Sequence, residues 1–297
     1  MTSKKIKNNL SSYFLLSPAA VILLFVFAYQ IVNLFVYSLF SWKGYELTNS
    51  FNNFQYFATL FSKNTIAIPL LRSFGIIIIV VPLVIFITTF ITHNIYRKIA
   101  GWRFYLWIFF IPSVIPVVVA GITWRFLLNF NGPVNMLLRF LHLNFLVVDW
   151  FGNGKFALIA LCWIIIWREL GFASIIFLAQ LNSVDPCLYE AATLDGANEF
   201  QLIRHVTLPC LNNIIKFYTV MMTIYVLNNL FGVVLVTTNG GPGYSTTVLE
   251  YFIYFLAFRS GKIGLGSAVA VILFIITIVL VYIYVKLNRN KKGEDAF

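Results

Sequence analysis

Charged residues are spaced along this chain so that long apolar stretches lie between them. No Lys, Arg, Asp or Glu occurs within residues 8–42, 73–96, 104–124, 217–249 or 263–285. Backbone groups in hydrocarbon must find their hydrogen bonds within the segment itself, so an apolar run of about 20 residues reads as a membrane-crossing helix. A sixth run, residues 156–181, is as long but carries Arg168 and Glu169. The pattern predicts an all-α membrane protein of six transmembrane helices. The connections at 41–72, 129–155, 182–216 and 239–262 are too short for a soluble domain. Pro112 and Pro116 fall inside the third run and predict a kink, because proline removes a donor and clashes with the carbonyl four residues back.

Composition agrees with a bilayer protein. Hydrophobic residues make up 60% and charged residues 10% of the 297, against about a quarter charged in ordinary soluble domains. A cleaved signal peptide competes for the first run, which follows Lys4, Lys5 and Lys7. That run is too long for a signal and has no small-residue exit before Trp42, which favours a retained helix. An even number of helices puts both termini on one side, and basic residues mark the cytoplasm. One side would hold Lys4, Lys5, Lys7, Arg97, Lys98, Arg103, Arg204, Lys216, Lys286, Arg289, Lys291 and Lys292. The other would hold Lys43, Lys63, Arg72, Arg125, Arg139, Lys155, Arg259 and Lys262. The excess places both termini in the cytoplasm: residues 1–12 as a tail, 13–286 as the six-helix domain and 287–297 as a second tail. Connection 182–211 then lies inside.

The formal charge of +11 does not indicate a nucleic-acid partner. Its basic residues are scattered along membrane boundaries, where topology and lipid headgroups account for them. Cys162, Cys187 and Cys210 have no paired spacing and read as unpaired thiols. His93, His142 and His205 have no carboxylate cluster beside them, so neither a metal site nor an acid–base role is expected.

The inner connection reads NSVDPCLYEAATLDGANEFQLIRHVTLP. Asp185 and Pro186 form a helix opening, and Gly196 a helix ending. The helix between them is roughly 15 Å long, with Leu188, Ala191, Ala192 and Leu194 as small or apolar surface and Glu190 and Asp195 as exposed carboxylates. A second helix is predicted over 198–205, ending before Pro209. An ordinary amphipathic surface helix is the plain alternative.

The order Glu190-Ala191-Ala192, three residues, Gly196, nine residues, Val206, one residue, Leu208-Pro209 resembles the signature loop of permease subunits in binding-protein-dependent ABC importers. TTNGGPGYSTT at 237–247 and ITWRFLLNFNGPVNMLL at 122–138 are similar to the carbohydrate branch of that family, of which the maltose permease is the type case. The resemblance covers nearly the whole chain and implies one transmembrane domain of a type I importer for sugar. It implies that the 182–211 loop carries the coupling helix docking on a cytoplasmic ATPase, with Glu190, Ala191, Ala192, Asp195 and Gly196 as contact residues. It also implies the partners: a second homologous permease, two ATPase subunits, an extracytoplasmic solute-binding protein, the sugar and membrane lipid.

A chain that hydrolysed ATP itself would need a glycine-rich phosphate loop ending Gly-Lys-Ser/Thr. The Gly-Lys pairs here are Gly154-Lys155 before Phe156 and Gly261-Lys262 before Ile263. ATP and Mg would therefore be bound by partner subunits, and the chain is read as a transport subunit rather than an enzyme.

Polar groups inside a span invite a functional reading. Tyr225, Asn228, Asn229 and Gly232 fall on one helical stripe, and so do Trp163, Trp167, Gly171 and Ser174. Tyr225, Asn228, Asn229 and Trp167 are the candidates for the substrate path; helix–helix packing is the alternative for all of them. Gly232 departs from the family, which often has an acid there. Arg168 and Glu169 are adjacent and point about 100° apart on a helix, which argues against a simple same-face pair and predicts that they either line a wet cavity or pair with another helix or subunit. The competing function is an ion-coupled secondary transporter working without ATPase subunits. Such a protein would be expected to carry more acids or histidines within its spans, and would have no use for the loop. A membrane-embedded enzyme would need clustered catalytic groups, which the sequence lacks.

Overall fold

The computed structural model describes residues 2–43 and 46–294; the side chains of 1–14, 43–45, 47, 49 and 287–297 lie outside that description. The basic residues assigned to the two tails, Lys4, Lys5, Lys7, Arg289, Lys291 and Lys292, lie outside it, although the backbone is helical over 2–12 and 287–294. Five described helices are long and apolar enough to cross a membrane, or six if one bent pair counts as a single span. The chain divides into two units, residues 1–63 with 253–274 and residues 64–252 with 275–297.

In the first unit, α1 (Thr2–Leu39) supplies the apolar stretch Leu15–Leu39, largely left uncovered by the rest of the chain, with Ser38 near its end buried. A hairpin follows, β1 (Phe40–Lys43) antiparallel to β2 (Glu46–Phe51), with Phe40 opposite Phe51 and their rings edge to face at 6.0 Å. Helix α2 (Gln55–Ser62) completes the connection predicted for residues 41–72.

The second unit is built on α3 (Ala67–Tyr96), α7 (Gly154–Leu181) and α10 (Leu208–Asn228). Their apolar faces meet in a core that includes Val80 and Val84 of α3, Ile164 and Phe177 of α7, and Tyr218 and Met222 of α10. The rings of Phe177 and Tyr218 meet edge to face at 5.5 Å. Lipid is as apolar as these side chains, so close packing rather than water exclusion holds such helices together.

The third predicted span is more than kinked. It is two helices, α4 (Trp102–Val114) and α5 (Val117–Leu127), bent by 105°. Ile115 and Pro116 between them are extended, with ψ of 128° and 137°. Proline disfavours the helical conformation in the residue before it, which fixes the break at Ile115. Helix α6 (Pro133–Phe140) and a single 3-10 turn at Asn144–Leu146 lead on to α7.

The predicted fifth span is broken as well. Helix α10 stops at Asn228, and α11 (Phe231–Thr237) starts afresh beyond Asn229, whose φ and ψ are −138° and 17°. The stripe of Tyr225, Asn228, Asn229 and Gly232 is therefore not continuous. Helix α12 (Leu249–Tyr254), a π turn at Phe255–Arg259 and α13 (Ile263–Glu294) complete the chain.

Candidate functional site

Helix α8 (Cys187–Leu194) opens as the sequence indicates, with Asp185 Oδ1 accepting the Cys187 N–H at 2.9 Å. It closes on Gly196 at φ +82°, in the left-handed region that side chains with a β-carbon rarely adopt. The Gly196 N–H bonds Thr193 O at 3.1 Å and the Ala197 N–H bonds Ala192 O at 3.0 Å, so the last carbonyls are satisfied by the turn itself. A β-carbon at Gly196 would meet nothing within 4 Å. The turn is open to whatever lies outside.

Two residues later α9 (Glu199–Leu202) begins with a reciprocal cap. Asn198 Oδ1 accepts the Gln201 N–H at 2.9 Å, and Gln201 Oε1 accepts the Asn198 N–H at 2.8 Å. This helix does not end before Pro209, contrary to the sequence expectation. It runs through a π turn at Ile203–Thr207 into α10, the Leu208 N–H bonding Ile203 O. Pro209 has no N–H to offer the carbonyl four residues back, and the π turn lies immediately before it, where the regular ladder would be interrupted.

The five residues read as docking contacts fall together on this corner. Glu190, Ala191, Asp195 and Gly196 are exposed and Ala192 is half-buried, while Leu194 beside them is 88% exposed. Tyr189 faces the other way and is buried against the end of α3, its ring 4.9 Å from that of Tyr96. Its hydroxyl lies 2.9 Å from Thr207 Oγ1, and His93 Nδ1 lies 2.8 Å from the same oxygen. His93 Nε2 is 3.0 Å from Glu199 Oε2, and Arg97 reaches the other carboxylate oxygen at 3.4 Å. Arg97 Nη1 also donates to Thr193 Oγ1 at 3.5 Å. A cavity of about 380 Å³ between α8 and the end of α3 is lined by Arg97, Tyr189, Glu190, Thr193 and Leu194.

Charge follows geometry in this loop. The hydrogen bond from His93 holds the Glu199 carboxyl below the usual carboxylate range, with Arg97 adding to it. The Cys187 N–H does the same for Asp185, and the Asp185 carboxylate in turn raises the Cys187 thiol. The sequence reading assigned His93 no role and did not single out Tyr189 or Thr207. One signal was present: His93 sits in an otherwise apolar run, and an imidazole at that depth has to find partners.

The membrane-embedded candidates are less unified. Trp163 and Trp167 both stand edge-on to Trp124 of α5, at 5.9 and 5.4 Å. Gly171 lets the backbone of α4 approach so closely that a β-carbon would lie 2.3 Å from Phe109 O. Trp163, Trp167 and Gly171 of the stripe thus pack α7 against α4 and α5, while the buried Ser174 hydroxyl donates to Leu170 O of its own helix at 2.6 Å. Asn228 is exposed and donates to Ile224 O at 3.0 Å and Thr277 Oγ1 at 3.4 Å; Asn229 is exposed in the break. Tyr225 alone reaches the charged pair of α7.

That pair differs from expectation, because Arg168 Nη1 bonds its neighbour Glu169 Oε1 at 3.1 Å. Both side chains are long enough to leave their helical directions and converge on the Tyr225 hydroxyl, which Arg168 Nη1 also contacts. Arg168 Nε points to Ile115 O at 3.4 Å, the carbonyl freed by the break between α4 and α5. The second break is met similarly: Glu250 accepts the Leu230 and Phe231 N–H groups at 2.5 and 2.8 Å. Among the described residues no group of His, Cys, Asp and Glu is placed to hold a metal ion.

Comparison with known proteins gives one family. A family model described as the binding-protein-dependent transport system inner membrane component matches residues 95–293. A probable ABC transporter permease of Bacillus subtilis, YurN, is 29% identical over 270 residues, covering 89% of this chain and 91% of that protein. NgcF of Streptomyces coelicolor, a permease of a diacetylchitobiose uptake system, is 29% identical over 86% of this chain and 75% of its own length. The crystal structure of a bacterial alginate ABC transporter in complex with a periplasmic protein carrying alginate pentasaccharide contains a chain of the same fold. It superposes with a TM-score of 0.79 at 25% identity, covering 97% of this chain and 96% of that one.

Proposed function

Because the chain belongs to the family of binding-protein-dependent transport system inner membrane components, we propose that it is a permease subunit of an ATP-driven importer of carbohydrate. In this reading it spans the bacterial cell membrane with both termini in the cytoplasm. A second related permease completes the translocation path, two ATPase subunits supply the work, and an extracytoplasmic binding protein delivers the sugar. Relatives that serve diacetylchitobiose and alginate support a saccharide as cargo.

The observation that carries the docking role is the corner between α8 and α9. It is stiffened by caps at Asp185, Gly196 and Asn198, it is open around Gly196, and its hidden face is tied to α3 through Tyr96 and His93. Glu190 and Asp195 would anchor a basic partner surface, Ala191 and Ala192 would let it approach, and Gly196 would set the turn. In the membrane, Tyr225, Asn228, Asn229 and Trp167 would line or flank the path, with Tyr225 fixed by Arg168.

The test is co-purification followed by uptake. The full chain should bring down an ATPase and a second permease, and the reconstituted complex with its receptor should accumulate the sugar that the receptor binds when ATP is supplied. Uptake by vesicles holding this chain alone, persisting after ATP depletion, would instead favour an ion-coupled transporter. Glu169, the acid within the α7 span, is occupied by Arg168, which leaves little for ion coupling to use.

A further inference from the structure

We propose that His93 is a positioning residue that transmits movement of α8 to α3, an inference that rests on the importer reading above. The chain itself ties α8 to α7 through residues 182–186, and to α10 through α9. Helix α3 has no such tie. It ends at Tyr96, far from the loop in sequence, and touches it through side chains: the Tyr96 ring on Tyr189, Arg97 on Thr193 and Glu199, and His93 on Glu199 and Thr207.

Of these, His93 is the buried one, 1% exposed, with both ring nitrogens engaged on the loop side. An ionised Glu199 only accepts, so His93 Nε2 carries the proton and donates. Nδ1 lies 2.8 Å from Thr207 Oγ1, and the same oxygen lies 2.9 Å from the Tyr189 hydroxyl and donates to Leu202 O at 3.3 Å, so Thr207 joins His93 to both α8 and the end of α9. The result is a connected series from Tyr189 on α8 through Thr207 at the π turn and His93 on α3 to Glu199 at the start of α9.

Ring packing resists compression but does not pull, and the Arg97 bonds at 3.4–3.5 Å are long and exposed, whereas the hydrogen bonds of 2.8–3.0 Å around His93 hold the two elements at a fixed distance and transmit motion in both directions. With a nitrogen held at each end, the imidazole cannot rotate to absorb a shift of α8. It moves α3 instead.

The experiment uses the complex of the full chain with its ATPase subunits. Cys162, Cys187 and Cys210 are replaced by Ser, and spin labels are placed through Phe90→Cys on α3 and Phe172→Cys on α7, both exposed positions. The distance between labels is read with and without ATP and Mg. The parent complex is expected to show a nucleotide-dependent shift of at least about 2 Å, the scale of helix movements in such transitions.

His93→Phe keeps a ring but neither hydrogen bond, and Thr207→Val keeps the shape without the hydroxyl. Each is expected to abolish the shift while ATP hydrolysis stays within about twofold of the parent, and Thr207→Ser is expected to restore it, because only the connecting hydroxyl is at issue. A full shift in both His93→Phe and Thr207→Val overturns the proposal, as does a parent complex in which α3 does not move. Should His93→Phe fail to assemble, Thr207→Val and Tyr189→Phe give the same readout, and an undiminished shift in both overturns it. If no ATPase binds the parent chain, it is the importer reading that has failed, so the two failures are told apart.

Discussion

The α8–α9 corner and the two breaks within the spans both interrupt helices, and they do so by different means. At α8–α9 the freed backbone groups that find partners find them within a few residues: Asp185 for Cys187, Gly196 for the carbonyl of Thr193, Asn198 and Gln201 for each other. At the two breaks inside the membrane the partners are distant in sequence. Ile115 O is met by Arg168, and the Leu230 and Phe231 N–H groups by Glu250. Water covers the shortfall in one place and is missing from the other, so a break in hydrocarbon has to be served by a group from another part of the chain. A local device can be read along the sequence; a remote one cannot.

The comparison predicts that changes in the membrane cost stability, whereas changes at the corner cost function. The largest effect on stability is expected at Arg168. Arg168→Met leaves the Glu169 carboxylate without its partner inside a span, a loss of about 3 kcal/mol, read as a lower melting temperature of the purified chain in detergent. The double variant Arg168→Met, Glu169→Leu should recover most of it, because no charge is then left alone. A single variant as stable as the parent would show that the break at Ile115 does not depend on this pair.

At the corner the expected order reverses. Gly196→Asp places a β-carbon in open space but in a left-handed conformation, costing about 1 kcal/mol. Uptake by the reconstituted importer should nevertheless fall by about a hundredfold, since small misplacements of a contact surface are costly. Glu190→Lys should give a similar loss with no change in melting temperature. Normal uptake in both would remove the docking role from this corner.

How much could be read beforehand divides along the same line. The spans followed from charge spacing, and the α8 helix from Asp185, Pro186 and Gly196, because caps and apolar runs are local signals. Pro112 and Pro116 announce the 105° bend only as a kink, since the group that donates to the freed Ile115 O, Arg168, lies 53 residues away. The break after Asn228 had no local proline to announce it, and its partner Glu250 lies in a different connection. Arg168 and Glu169 were kept apart by helical geometry, which sets directions at the β-carbon and not where two long side chains end. His93 showed as an isolated imidazole because Thr207 and Glu199, which hold it, are more than 100 residues away.

Smaller effects sharpen the contrast at the corner. Asn198→Ala removes one side of the reciprocal cap and should cost about 1 kcal/mol, with uptake reduced severalfold. The smallest concerns Glu199, whose carboxyl is held low by His93 and secondarily by Arg97. A depressed folded-state value means that the stabilisation is fully present above the unfolded carboxylate value, about 4.3, and is lost as pH falls through the lower folded value. Melting temperatures of the parent and Glu199→Gln should therefore differ at neutral pH and converge as pH falls below about 4. The side chain is 66% exposed, so solvent screens the interaction and the gap at neutral pH will be small. A gap that widened on acidification would mean that the carboxylate is a burden on the fold, and that His93 is held in place by Thr207 alone.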